Sequence, residues 1–113
     1  MKINIGLNDE ARLEVGQILN LLLADEYMLY ATTRDYHWNV TGPEFLSLHQ
    51  QFESQYTQIA EWIDQIAERA RSIGIGARGN WVDLTKAAAP PPIQVRVCPP
   101  SICFPNYSRC MKK

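Results

Sequence analysis

Residues 36–43 read Tyr36-His37-Trp38-Asn39-Val40-Thr41-Gly42-Pro43, and they separate two long runs of helix-period sequence. Thr41-Gly42-Pro43 ends the first run. Proline is favoured in the first turn of a new helix, and Glu44 follows it as an acidic first-turn residue. So short a connector predicts that the two runs fold back as an antiparallel helical hairpin. Both histidines of the chain, His37 and His49, lie close to this connector.

Upstream, Asn8 precedes Asp9 and Glu10, the pattern of an N-cap followed by acidic residues that complement the helix dipole. From about Asp9 to Trp38, apolar residues recur at helical spacing (Leu13, Ile18, Leu19, Leu22, Leu23, Tyr30) and no proline interrupts. Gly16 is the weak position, costing about 1 kcal/mol relative to alanine. The apolar coverage is wide, which predicts more than one packing partner. Downstream, Phe45, Leu48, Phe52, Tyr56, Ile59, Ile63 and Ile66 form one stripe, predicting a helix over about 43–73. Arg69 and Arg71 give it a cationic last turn, and Gly74 and Gly76 give it a stop. A short segment over about 80–85 reads as a brief helix or a packed turn.

The charge distribution divides the chain. All 12 acidic residues lie in 1–85, whereas 86–113 holds 5 of the 11 basic residues, all three cysteines and six of the seven prolines. Such a shift predicts a boundary near Lys86, with a basic, Pro- and Cys-rich tail that is irregular or disordered. Cys98, Cys103 and Cys110 have no histidine nearby and do not match the usual zinc spacing, so they are expected to be free thiols. The tail's charges are scattered among prolines, a poor pattern for gripping DNA. No apolar run approaches bilayer length, and MKINIGLNDE lacks the apolar core of a signal peptide. A cytoplasmic chain with no membrane partner is expected.

The candidate chemistry lies in His37, His49, Glu53, Asp64 and Glu68. Asp64 and Glu68 are four apart and share a helical face, an arrangement that is usually just a solvated surface. Imidazole together with carboxylate suits divalent iron, zinc or manganese. Spacing limits how such a set could assemble. On one helix His49 and Asp64 stand about 22 Å apart, so the histidine end and the carboxylate end cannot meet within one chain. They can meet between two chains related by a two-fold axis, which would create two equivalent sites.

The segment from about Leu13 to Thr85 resembles the Dps family, the ferritin-like DNA-protection proteins of starved bacteria. The resemblance rests on HWNV-x-G-x-x-F-x-x-LH from His37 to His49 and on the D-x-x-A-E-R segment beginning at Asp64. It implies binding and peroxide-driven oxidation of Fe(II) at a mono-iron or di-iron site, iron storage in a homo-oligomer (a dimer at least, a dodecamer when complete), and protection of DNA. His37 and His49 match the family's site histidines, and Asp64 and Glu68 match carboxylates supplied by a neighbouring subunit. Glu53 stands where the family has an acidic residue, and Trp38 matches a tryptophan beside the site. The expected fold is all-α and ferritin-like, restricted to the first hairpin of the four-helix bundle. Where the two-fold site assembles, the expected activity is that of a ferroxidase. The alternatives are a non-enzymatic hairpin that dimerises and the inactive product of a frameshifted gene.

Overall fold

The computed structural model describes residues 3–88; of the tail expected to be irregular from Lys86, Lys86 and Ala87 are helical and residues 89–113 lie outside the described ones. Helix α1 runs Asp9–Asn39, α2 runs Phe45–Ser72 and α3 runs Trp81–Ala87. The Asn8 side chain accepts the Ala11 amide at 2.7 Å, which satisfies one of the free donors at the start of α1. Five residues, 40–44, turn the chain back, and α1 and α2 lie against one another as the predicted antiparallel pair. Gly42 has φ 114°, which a side chain would disfavour. Val40 caps α1, its amide bonding Tyr36 O at 3.0 Å, and is 1% exposed, so the turn is anchored from within.

The start of α2 differs from the expectation. Pro43 and Glu44 belong to the turn, and the first helical turn carries no acidic residue. The Gly42 carbonyl accepts the Phe45 amide at 3.1 Å, and this turn bond displaces the helix start by two residues.

Leu23, Ile59 and Ile63 form the buried seam, with Tyr30, Ile66 and Ala67 packed against it. Helix α2 ends in a Schellman motif. The Ile75 amide bonds Ala70 O and the Gly74 amide bonds Arg71 O, both at 3.0 Å, with Gly74 at φ 80°. This bend carries residues 73–79 back across α1. Asn20 pins them there, its Nδ2 donating to Gly76 O at 3.0 Å and to Gly16 O at 3.1 Å, while its Oδ1 accepts the Arg78 amide at 2.8 Å. A Cβ on Gly16 would stand 2.5–2.9 Å from the Ile75 side chain. The helix weakness at Gly16 is therefore the clearance for this crossing.

Asn80 caps α3, its side chain accepting the Asp83 amide at 3.0 Å. Helix α3 packs on α1 through its buried Leu84 and contains Lys86, the residue at which composition changes. Helix α1 thus has two partners, yet Leu13, Ile18, Leu21 and Leu29 all remain at least half exposed. Among the described residues, no helix is long and apolar enough to cross a membrane.

Candidate metal-binding histidine pair

His37 lies in the last turn of α1 and His49 in the second turn of α2, and the hairpin brings them face to face. Their rings stack with centroids 3.7 Å apart and planes 16° apart. Each Nδ1 stands 2.7 Å from the other residue's main-chain oxygen: His37 Nδ1 on His49 O, and His49 Nδ1 on His37 O. A carbonyl can only accept, so both Nδ1 atoms carry the proton. Of the two neutral tautomers, the one these bonds select has its lone pair at Nε2. This is the second-sphere arrangement that orients an imidazole for metal ligation.

Aromatic residues hold the pair on both sides. Phe45 stacks on His49 at 5.0 Å, and Tyr56 meets His37 edge to face at 5.1 Å. Tyr30 contacts Tyr56 at 6.1 Å, and Tyr36 packs on Phe52 at 5.9 Å. His37 is buried, and His49 is half-buried.

Arg34, which the sequence reading did not single out, sits beside this cluster. Its guanidinium lies 4.4 Å from the Tyr56 ring centre, 5.4 Å from Trp38 and 5.6 Å from Tyr30. Its Nη1 donates to the Tyr30 hydroxyl oxygen at 2.6 Å, and this bond is the main cause holding the Arg34 pKa above its ordinary value. The available signal was positional: Tyr30, Arg34 and Trp38 are four apart and share a face.

Asp64 and Glu68 lie elsewhere, while Glu53 stands one turn beyond His49. Glu53, Asp64 and Glu68 are all exposed on α2. Uninterrupted helix separates His49 from Asp64 by about 22 Å. Among the described residues, no three His, Cys, Asp or Glu side chains gather closely enough to hold a metal ion. Glu68 lines a groove of about 680 Å³ between α1 and α2, together with Trp62, Arg69 and Glu26, whose buried Oε2 has no hydrogen-bond partner among the described residues. The chain thus brings together two nitrogen donors and, at the far end of α2, displays separate oxygen donors.

A profile for the ferritin-like domain matches residues 16–100, extending past Thr85. The chain is 53% identical over 86 residues to an uncharacterized low temperature-induced protein of Nostoc sp., covering 74% of this chain and 48% of that protein. It is 44% identical over 61 residues to DNA protection during starvation protein 2 of Bacillus anthracis, covering 54% of this chain and 42% of that one. Among solved structures it is similar to a Dps protein of Vibrio cholerae, described as a member of a broad superfamily of ferritin-like diiron-carboxylate proteins. That match has TM-score 0.73 and 37% identity and covers 78% of this chain and 56% of the other. Dps of Mycobacterium smegmatis gives TM-score 0.77 at 26% identity, covering 84% and 58%. The chain spans about half the length of the curated relatives it matches.

Proposed function

Because this chain belongs to the ferritin-like Dps family, we propose that it takes up ferrous iron as a substrate at a site shared by two copies and oxidises it there. The observation that carries this reading is the reciprocal Nδ1–carbonyl pairing of His37 and His49, which readies two bare Nε2 atoms. The partner copy brings Asp64 and Glu68 to them, with Glu53, one turn beyond His49, as a further oxygen donor. Two imidazoles and two carboxylates make a donor set suited to Fe(II), and the carboxylate charge favours the Fe(III) product.

The chemistry balances with hydrogen peroxide as oxidant: two Fe(II) and one H₂O₂ with two protons give two Fe(III) and two waters. Consuming both reactants together deprives nearby DNA of the hydroxyl radicals that free iron and peroxide would generate. In this role the chain is a ferroxidase, and the protection it gives needs no direct grip on DNA.

Titration of the purified chain with Fe(II) and peroxide tests the reading. Saturable oxidation that disappears in Asp64→Ala supports it. Oxidation unchanged by Asp64→Ala, His37→Ala and His49→Ala sinks it.

A second reading, a non-enzymatic hairpin that associates through its helix faces, draws on the exposed Leu13, Ile18, Leu21 and Leu29. A stable dimer by light scattering with no iron uptake favours it.

A further inference from the structure

We propose that Arg34 is a positioning residue for the histidine pair, acting through Tyr56; the inference rests on the iron-binding reading of that pair. Each Nδ1 bond fixes one point of an imidazole, and the ring can still swing about it. Contacts on the ring faces supply the remaining restraint. His49 is held between His37 and Phe45, whereas the other ring against His37 is Tyr56, edge to face. Among the described residues, Tyr56 is itself held by ring contacts, and the shortest of these is the Arg34 guanidinium at 4.4 Å.

Arg34 is placed for this task and for little else among the described residues. Among the described residues, one of its five N–H donors is bonded, to Tyr30. Among the described residues no carboxylate is recorded in an ion pair with it, unlike Arg12, which pairs with Asp9. Its flat guanidinium serves as one more ring in the stack, joining Tyr30 and Trp38 of α1 to Tyr56 of α2. The line Arg34–Tyr56–His37 therefore crosses the hairpin and ends on a donor ring. Through it the pair is ordered before any metal arrives.

The test reads the rings themselves in the full-length, metal-free chain. Long-range ¹H–¹⁵N spectra report which imidazole nitrogen carries the proton. Wild type should show a single Nδ1–H form for His37. Arg34→Met should give a mixed or broadened His37 signal while the helical melt stays cooperative, and Co(II), used as a spectroscopic probe, should bind about 10-fold more weakly. Arg34→Lys keeps the charge but lacks the flat face, and should resemble Arg34→Met. Unchanged His37 ring signals in Arg34→Met overturn the proposal, as does full recovery in Arg34→Lys. Failure of wild type to bind Co(II) counts against the iron-binding reading instead, because the ring spectra still decide the role of Arg34.

Discussion

His37 and His49 cap one another: each ring Nδ1 donates to the other residue's main-chain oxygen at 2.7 Å, across the two helices of the hairpin. His37 O belongs to the last turn of α1, where carbonyls run out of intrahelical donors. The pair is therefore structural as well as chemical. Replacing His49 with alanine removes one donor, leaves the His37 carbonyl without it and empties the space between His37 and Phe45. The expected cost is about 1–3 kcal/mol in urea denaturation, with metal binding lost as well.

A site divided between two copies makes a complementation prediction. A His37→Ala chain retains Asp64, and an Asp64→Ala chain retains both histidines. In a mixed two-fold dimer, one of the two sites receives every donor. Refolding equal amounts of the two variants together should restore about a quarter of wild-type Fe(II) oxidation, by random pairing in a two-fold dimer. Each variant refolded alone should show none. Absence of recovery in a mixture shown to form dimers would refute a shared site.

Gly16 gives a test in which propensity and packing oppose each other. Alanine gains about 1 kcal/mol of helix propensity. Its methyl would enter the space of Ile75, within 2.5–2.9 Å of three side-chain carbons, and overpacking of this kind costs about 1–3 kcal/mol. Gly16→Ala alone should lower the urea midpoint. In an Ile75→Ala background the same change should cost less, because Cγ1 and Cγ2 are gone, only Cβ at 2.9 Å remains, and the two sites are coupled.

Asn20 is the post to which residues 76–78 are tied, by bonds to Gly76 O and from the Arg78 amide. Asn20→Leu removes both and leaves a main-chain donor and acceptor to find water. The expected loss is about 1–2 kcal/mol. Because α3 follows directly, its docking on α1 should loosen first. Amide hydrogen exchange at Leu84, whose amide bonds Asn80 O, should then speed up while that within α1 and α2 is unchanged.

Much of the hairpin is legible in the residue pattern. Asn8, the two apolar stripes and the Gly42-Pro43 break suffice to place both long helices and their connection. So is the separation of the donors, because rise per residue keeps His49 and Asp64 apart whatever the packing. What the pattern does not carry is orientation. Spacing puts His37 and His49 near the same turn, but stacked rings with crossed Nδ1 bonds depend on how two helices meet. The place of Arg34 is hidden for the same reason, since its bond to Tyr30 is local but its closest ring, Tyr56, comes from the opposite helix. Gly16 looked like a flaw because a local scale charges for the missing side chain without seeing Ile75. Pro43 looked like the first helical residue, yet the Gly42–Phe45 bond claims it for the turn.

The crossed Nδ1 bonds tie chemical readiness to the closure of the chain reversal. If residues 40–44 open locally, both acceptor carbonyls move away and each imidazole is free to exchange its proton between nitrogens. Ligation at Nε2 favours the closed form, so by linkage a bound ion must make this end of the hairpin harder to open. The effect would register as slower amide hydrogen exchange at Val40 and Phe45, whose own bonds hold the reversal shut. Occupancy of the site could thus be followed from the backbone alone.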